Sequence, residues 1–258
     1  MKTLTIILLS LFILEGCNQS TNQNNTTSTD KKSSEILKSI PDLSNDTTFT
    51  FNGYQRRVLP EGWSQYTTGK GDSTNWQIIY GNSKIVLAQL SEDNPNYHFN
   101  VIVFDNFKIK NPELSVYLQG ISGNMDQGGG FVWRFIDKDN YYVVRANPLE
   151  DNVVLYKVEN GKRTDLPLIG KGRTYGTDVK PLGSGWNQLG LTVNDSLFTV
   201  YLNSEQVFQV IDETFKNAGK VGLWTKADAV TYFDNFEIKP LKYQTTLARS
   251  NPLVLSKR

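Results

Sequence analysis

Short stretches of alternating apolar and polar residues recur along most of this chain, separated by turn residues about every ten positions. No segment keeps apolar residues at a helical period over about a dozen positions. Since each alternating strand has an apolar face to bury, two sheets must stack against each other. The pattern predicts an all-β antiparallel sandwich of two sheets, in one domain over residues 47–240.

The clearest predicted hairpin joins a strand over residues 131–136 to one over 141–147 through the turn 137–140. This pairing sets Arg134 opposite Val143 and divides the side chains between two faces. One face is wholly apolar and is predicted core: Phe131, Trp133, Phe135, Tyr142, Val144 and Ala146. The other face mixes polar and aliphatic residues: Val132, Arg134, Ile136, Tyr141, Val143, Arg145 and Asn147.

Two further hairpins are predicted from two-residue turns, Asn160-Gly161 and Asn194-Asp195. Asn-Gly between alternating strands is the strongest short hairpin signal. A turn centred on Asn194-Asp195 predicts that Leu191 lies opposite Phe198.

The first residues have the pattern of a targeting segment. Met1-Lys2 precedes an apolar run over residues 4–14, the length of a secretory signal and short for a membrane span. The run ends at Leu14-Glu15-Gly16-Cys17, which resembles the bacterial lipobox except at Glu15. The resemblance implies that Cys17 is lipidated and begins the mature chain. The alternative is an ordinary signal peptide with a chance Cys.

The predicted organisation therefore has four parts. Residues 1–16 are a lipoprotein signal peptide, 17–46 a lipidated Cys and polar tether, 47–240 the sandwich, and 241–258 a C-terminal extension. The tether is predicted flexible because residues 18–34 are almost wholly polar and cannot bury apolar surface. We expect an exported, membrane-anchored protein on the periplasmic or cell-surface face.

Charge and rare residues exclude several classes of function. The 27 Lys and Arg residues balance 26 Asp and Glu, so no excess of cations is present for nucleic acid. One Cys and one His exclude an internal disulfide, a Cys-based zinc site and paired-His metal motifs.

Segments across about residues 47–239 resemble the concanavalin A-like lectin/glucanase superfamily, and within it the exported laminin-G-like and 3-keto-disaccharide hydrolase-related proteins. The segments that carry the resemblance are Leu59-Pro60-Glu61-Gly62-Trp63, Trp76, residues 128–135, residues 139–153, residues 219–228 and Phe233-Asp234-Asn235-Phe236. The resemblance implies a two-sheet jelly roll. It does not by itself assign a function, because one fold serves many.

The polar face of the first hairpin is the leading candidate for a binding surface. Arg134, Tyr141, Arg145 and Asn147 are predicted to lie there, on the concave sheet of the jelly roll. Sugars require flat aromatic area for their C–H faces and fixed donors for their hydroxyls. The alternative is a solvated outer face in which the Arg side chains pair with nearby acids.

A second group, Trp224, Lys226 and Asp228, lies where a predicted strand enters a loop that can lean over this sheet. The alternatives are that Trp224 is core and that Lys226 forms a structural ion pair with Asp228. If the protein is an enzyme, Glu150 and Asp228 are the candidate catalytic carboxyls, since glycoside hydrolysis needs two. The Glu-x-Asp-x-x-Glu pattern of the superfamily's family-16 glucanases does not occur.

No metal ligand or cofactor is assigned. Residues 137–140 resemble the opening of a calcium loop but lack its Gly and closing Glu, and a hairpin turn explains them. A structural calcium held by backbone carbonyls stays open, because it leaves no sequence pattern. The sequence predicts carbohydrate binding on the concave sheet, with a membrane contact through the lipid only and no nucleic-acid partner. The alternatives are a glycoside or 3-keto-disaccharide hydrolase and a structural or protein-binding surface lipoprotein.

Overall fold

A computed structural model describes residues 42–71 and 73–241 of the chain. The predicted signal peptide, Cys17, the tether up to residue 41 and the extension beyond residue 241 lie outside the described residues. The predictions for those segments therefore remain predictions. Within the described ranges, no helix is long and apolar enough to cross a membrane.

Strands account for all of the regular structure in the described ranges. They are β1 (Thr47–Phe49), β2 (Trp63–Gly69), β3 (Trp76–Gly81), β4 (Lys84–Gln89), β5 (His98–Phe104), β6 (Pro112–Ser122), β7 (Gly129–Asp137), β8 (Asn140–Asn147), β9 (Asn152–Glu159), β10 (Lys162–Asp165), β11 (Thr177–Asp178), β12 (Asn187–Asn194), β13 (Leu197–Leu202), β14 (Glu205–Ile211), β15 (Lys220–Lys226) and β16 (Val230–Pro240).

The strands form two antiparallel sheets that pack as a sandwich. Sheet 1 has the order β14-β13-β12-β6-β16-β4-β3, with β1 paired to β16. Sheet 2 has the order β10-β9-β8-β7-β15-β5-β2, with β11 paired to β9. Strands adjacent in sequence pair through tight turns, as in β7–β8 and β12–β13, while others cross between sheets. The predicted all-β, jelly-roll-like sandwich is confirmed.

The main hydrophobic core lies between the two sheets. Five of the six residues predicted to share the apolar face of the first hairpin belong to it: Phe131, Trp133, Tyr142, Val144 and Ala146. Trp133 stacks on Tyr142 at 5.3 Å between ring centroids, and Phe198 of sheet 1 meets Trp133 edge-on at 5.3 Å. Aromatic contacts of this kind join the two sheets.

The register of the first hairpin differs from the prediction. Val132 lies opposite Val143, and the pairing shifts between Trp133 and Asp137. Arg134 has φ of 48°, the left-handed region that a bulge residue adopts. After the bulge, Phe135 and Arg134 lie on the faces opposite to those predicted. Phe135 packs on Tyr141, whereas the Arg134 guanidinium lies 5.6 Å from the core ring of Phe198. The predicted pairing of Arg134 with Val143, and its place beside Tyr141 and Arg145, are therefore wrong.

The third hairpin forms with a register shifted by two residues. Leu191 lies opposite Val200, not opposite Phe198 as predicted. The reason is the position of the turn, which lies one residue later than predicted. Asn194 pairs with Leu197, so the loop contains Asp195, at φ of 50°, and the residue after it. Because the shift is two residues, each side chain keeps its predicted face. The Asn160-Gly161 hairpin between β9 and β10 is confirmed.

Sheet 2 carries a second apolar cluster on its other face, the face turned away from sheet 1, which we call the concave face. Its buried members are Phe99, Val101, Val103, Val132, Phe135, Tyr141, Val143, Val154, Tyr156, Val158 and Trp224. Phe99 packs on Trp224 at 5.4 Å, and the Arg163 guanidinium lies over the rings of both Phe99 and Tyr156. Aromatic side chains thus fill the middle of the concave face.

The same contacts show that sheet 2 curls over its concave face. Tyr97, just before β5, donates its hydroxyl to the carbonyl of Gly161 at 3.0 Å and accepts from the Arg163 amide at 2.8 Å. The Thr68 hydroxyl of β2 donates to the Lys138 carbonyl at the tip of the β7–β8 hairpin. Strands from opposite sides of the sheet therefore touch across it.

Candidate functional site

The β8–β9 end of the concave face carries a cluster of buried charged and polar side chains. We call it the Arg145 cluster; its members are Asp126, Arg145, Asn147, Glu150, Asn152, Tyr156, Tyr175 and Lys226. Arg145, Asn147 and Lys226 were predicted as ligand-binding residues, and Glu150 as a catalytic carboxyl. Trp224 lies in the same cross-strand row as Arg145, with Gly130 between them in register.

Arg145 is the centre of the cluster. Its side chain is 1% exposed, and its Nη2 lies 2.6 Å from Glu150 Oε2. Nη1 donates to the side-chain oxygen of Asn152, and Nη2 donates to the Tyr156 hydroxyl at 3.4 Å. Burial acts against the charge, but Tyr156, Asp126 and Glu150 outweigh it and raise the pKa of Arg145 above its ordinary value. The guanidinium is therefore a fixed, permanently charged fork.

Two buried donors of the cluster have no hydrogen-bond partner in the structure. They are Nε of Arg145 and Nδ2 of Asn147. The side-chain oxygen of Asn147 is used, since it accepts from the amides of Leu149 at 3.0 Å and Gln127 at 3.3 Å. Buried donors are nearly always paired, because leaving one without a partner costs about 1–3 kcal/mol. Both residues lie on the concave face of β8, so the two donors without partners belong to the same cluster.

Glu150 forms the rim of the cluster. It follows a turn in which the Glu150 amide donates to the Asn147 carbonyl at 3.2 Å. Its side chain is 37% exposed, so one edge of the carboxylate faces solvent. Burial acts to raise its pKa, but attraction to Arg145, with hydrogen bonds from Arg145 and Asn152, holds the pKa below the ordinary value. Glu150 is therefore an ionised acceptor at neutral pH.

Lys226 and Asp126 form the second ion pair of the cluster. Lys226 Nζ lies 3.3 Å from Asp126 Oδ2, and the Asp126 side chain is 1% exposed. Asp126 Oδ1 also accepts from the amide of Gly128 at 2.7 Å. The expected alternative of a Lys226–Asp228 ion pair is wrong, because the partner of Lys226 is Asp126. Each cation of the cluster thus faces one carboxylate.

Asp228 is occupied by backbone donors. Its carboxylate accepts from the amides of Asn124 at 2.6 Å, Met125 at 3.0 Å and Asp126 at 3.0 Å. Burial acts to raise the pKa of Asp228, but these amides outweigh it and lower the pKa. Asp228 therefore fixes the loop that places Asp126 beside Lys226.

Tyr156 and Tyr175 extend the cluster outward. The Tyr156 hydroxyl accepts from Arg145 and donates to the Tyr175 hydroxyl at 3.0 Å. Tyr156 is buried, whereas Tyr175 is 47% exposed. Burial raises the pKa of Tyr156, so its hydroxyl stays protonated. The sequence analysis did not predict four members of the cluster, Tyr175, Asp126, Asn152 and Tyr156. Only Tyr156 could have been found from the sequence, because it alternates with Val154 and Val158 in a predicted strand.

Two other predicted site residues lie away from the cluster. The guanidinium of Arg134 donates to the carbonyls of Phe215 at 2.6 Å and Lys110 at 3.2 Å, at the opposite end of β7. The Tyr141 hydroxyl is 2.9 Å from the Thr68 hydroxyl within the filled middle of the concave face. Both side chains are buried. The structure therefore brings together Arg145, Asn147, Glu150 and Lys226, but not Arg134.

Metal ligands are not grouped in the part of the chain that the structure describes: no cluster of three or more His, Cys, Asp or Glu residues could hold a metal ion there. The single His98 has both ring nitrogens engaged, with the Lys70 carbonyl at 2.6 Å and Asn100 Oδ1 at 2.9 Å.

Comparison with known proteins gives structural likeness only. No protein-family model matches the chain, and no curated protein matches it. The carbohydrate-binding module CBM66 of Bacillus subtilis is similar in structure, with a TM-score of 0.52 and 21% identity. The match covers 68% of this chain and 94% of the CBM66 chain. A variant of the GH43 protein BlXynB from Bacillus licheniformis matches 75% of this chain, with a TM-score of 0.50 and 14% identity. This chain spans 39% of that protein's length. At such identities the likeness shows a shared β-sandwich fold.

Proposed function

We propose that this protein binds carbohydrate at the Arg145 cluster and is held at a membrane surface by a lipid on Cys17. The observation that carries the binding site is the pair of buried donors without partners, Arg145 Nε and Asn147 Nδ2. They lie behind a half-exposed carboxylate, Glu150, and a half-exposed ring, Tyr175. The fold shared with a carbohydrate-binding module supports the proposal.

The chemistry of the cluster suits a polyhydroxylated, neutral ligand. Sugar hydroxyls both donate and accept, so they can meet fixed donors on Arg145 and Asn147 and an ionised acceptor on Glu150. The ion pairs Arg145–Glu150 and Lys226–Asp126 leave the cluster without excess charge of either sign. An acidic sugar would have to displace a carboxylate from one of these pairs.

The test is a glycan array that carries neutral and acidic glycans, probed with wild type, Glu150→Gln and a matched control, Glu213→Gln. Glu213 forms an exposed ion pair with Lys216 in the β14–β15 loop. We expect wild type and Glu213→Gln to retain the same neutral glycans, and Glu150→Gln to lose roughly tenfold in affinity, as removal of a charged hydrogen bond predicts. An array on which wild type retains no glycan would contradict the proposal.

A hydrolase of glycosides or 3-keto-disaccharides, close to the laminin-G-like proteins, is the enzymatic alternative. A hydrolase of this kind needs a carboxyl whose pKa is raised, so that it can act as an acid. The pKa values of Glu150 and Asp228 are both lowered, and Asp228 is held by three backbone amides. We therefore favour carbohydrate binding over hydrolysis as the function. Turnover of a 3-keto-disaccharide that disappears in Glu150→Gln or Asp228→Asn would reverse this order.

One observation favours a structural or protein-binding role instead. Phe99, Tyr141 and Trp224 are buried together in the middle of the concave face, so that part of the sheet offers no open platform for a sugar. The proposal therefore confines the ligand to the β8–β9 end. If wild type binds no glycan but Glu150→Gln disrupts capture of a purified surface protein, this second role replaces the first.

Lipid anchoring is proposed from Leu14-Glu15-Gly16-Cys17 at the end of the apolar run. In a bacterial host fed labelled palmitate, wild type should incorporate label and fractionate with membranes. Cys17→Ser should lose both properties, whereas the control Ser20→Ala should keep them. Label that persists in Cys17→Ser would remove the anchor from the proposal and leave the binding site untouched.

A further inference from the structure

Tyr175 is the exposed aromatic ring at the mouth of the Arg145 cluster. It is 47% exposed, although its hydroxyl is tied to Tyr156 at 3.0 Å. The two rings meet edge-on, at 67° and 6.0 Å between centroids, so one face of the Tyr175 ring is not covered by Tyr156. An amphipathic ring in this setting presents an apolar face together with a polar tip.

The backbone holds Tyr175 in an unfavourable conformation. Its φ is 52°, the left-handed region that a bulky residue rarely adopts, at a cost of about 1–3 kcal/mol. Gly176 follows at φ of 78°, where a Cβ would collide with the Val153 carbonyl. Strain of this kind persists only where surrounding contacts impose it.

Contacts on both sides of Tyr175 impose that conformation. The Thr174 hydroxyl donates to the Gly176 carbonyl at 2.8 Å, which closes the backbone around Tyr175. Arg173 Nη1 lies 3.0 Å from Asp165 Oδ2 at the end of β10, and Thr177 pairs with Val153 of β9. The loop is thus fastened to sheet 2 on each side of the ring.

A chain of hydrogen bonds runs from Arg145 through Tyr156 to the Tyr175 hydroxyl. Arg145 donates a hydrogen bond to the Tyr156 hydroxyl, and the Tyr156 hydroxyl donates one to the Tyr175 hydroxyl. Since Tyr175 accepts in this bond, its own hydroxyl proton is left for another acceptor. The ring face and the hydroxyl offer two contacts of the kind that a sugar ring uses.

We infer that Tyr175 is the specificity-determining aromatic residue of this site, where its ring packs on the C–H face of a neutral sugar whose hydroxyls meet Arg145 and Glu150. The inference rests on the proposed carbohydrate binding.

The experiment uses affinity electrophoresis of the full-length protein in mild detergent, in gels that contain arabinan, xylan, mannan or dextran. The variants are Tyr175→Gly, Tyr175→Phe and Glu150→Gln, and the control is Tyr80→Ala, an exposed Tyr on β3. In the gel that slows wild type most, Tyr175→Gly should weaken binding roughly tenfold or more. Tyr175→Phe should retain most of the affinity, and Tyr80→Ala all of it.

Stability distinguishes recognition from a structural role. Glycine suits the left-handed backbone at residue 175, so Tyr175→Gly should unfold at a temperature close to that of wild type. A Tyr175→Gly variant that binds within about twofold of wild type, while Glu150→Gln does not bind, overturns this inference and leaves the proposed function standing. Wild type that no gel slows contradicts the proposed function itself. A large fall in unfolding temperature in Tyr175→Gly would also overturn the inference, because it would show that the ring is structural.

Discussion

Arg145 illustrates how one buried cation can organise the end of a sheet. Its fork holds Glu150 on the β8–β9 turn, Asn152 at the start of β9 and Tyr156 further along that strand. Asn152 and Tyr156 would lose a buried donor without it, and buried acceptors without donors are costly. The residue is therefore both a structural tie and the source of the unpartnered Nε.

Replacement of Arg145 should affect stability more than replacement of its partner. We expect Arg145→Met to lower the free energy of unfolding by about 2–3 kcal/mol, because Asn152 and Tyr156 lose a buried donor. Glu150→Gln should cost less than about 1 kcal/mol, since its side chain is 37% exposed. Urea denaturation measures both, with Lys216→Met as the exposed control. Equal losses in the two variants would contradict the assigned role of Arg145.

The carboxylate of Asp228 should make stability depend on pH. Its folded-state pKa is lowered, so its contribution is fully present above the unfolded pKa of about 3.9 and is lost as pH falls through the folded pKa. Asp228→Asn should be less stable than wild type by about 1–2 kcal/mol at neutral pH. The difference should be smaller at acidic pH, below the unfolded pKa, than at neutral pH. A difference that is the same at both pH values would show that the amides do not favour the charged form.

At the scale of single elements, strand periodicity was a reliable guide except where a residue took an unusual backbone conformation. Strand β8 is regular, and alternation placed Tyr142 and Val144 in the core and Arg145 on the opposite face. Strand β7 is irregular, because Arg134 forms a bulge at φ of 48°. No Gly marks that bulge; ties from Arg134 to the carbonyls of Phe215 and Lys110 stabilise it, and those partners are distant in sequence.

Close backbone approach within sheet 2 gives a prediction at the same scale. Gly222 lies in β15 between β5 and β7, and a Cβ there would collide with the Ile102 carbonyl of β5. We expect Gly222→Ala to lower the free energy of unfolding by about 1–3 kcal/mol, because the strands must move apart. Gly185→Ala is the matched control, since no atom lies within 4 Å of its Cβ position. Equal stability of the two variants by thermal denaturation would be the contrary result.

For the whole molecule, the sandwich followed from local pattern, whereas most of the candidate site did not. Alternation and turn residues act over a few positions, and they specify strands, faces and hairpins. The partner of Lys226 is Asp126, and the neighbour of Tyr156 is Tyr175, each on a separate loop. Such pairs join distant segments of the chain, as do the contacts of Phe99 with Trp224 and of Arg163 with Phe99 and Tyr156 on the concave face.

The places where the backbone enters and leaves the sandwich bear on how much of the chain the fold requires. The two ends of the described region meet at one place: Leu43 donates its amide to the Lys108 carbonyl at 2.9 Å, and Leu241 donates to the Asn111 carbonyl at 2.9 Å. Strand β1 pairs with β16. The backbone is thus fastened where it enters and where it leaves the sandwich, as in a domain that folds by itself.

We therefore expect residues 42–241 alone to unfold cooperatively, at the same urea midpoint as residues 17–258. Among the described residues, this range supplies the core between the sheets and the concave-face cluster. Circular dichroism follows the strands, and tryptophan fluorescence follows Trp133 in the core and Trp224 on the concave face. Coincident transitions would indicate a single folding unit. A lower midpoint for the shorter chain would show instead that residues outside 42–241 stabilise the sandwich, and an early fluorescence change would locate that contribution to the neighbourhood of a Trp.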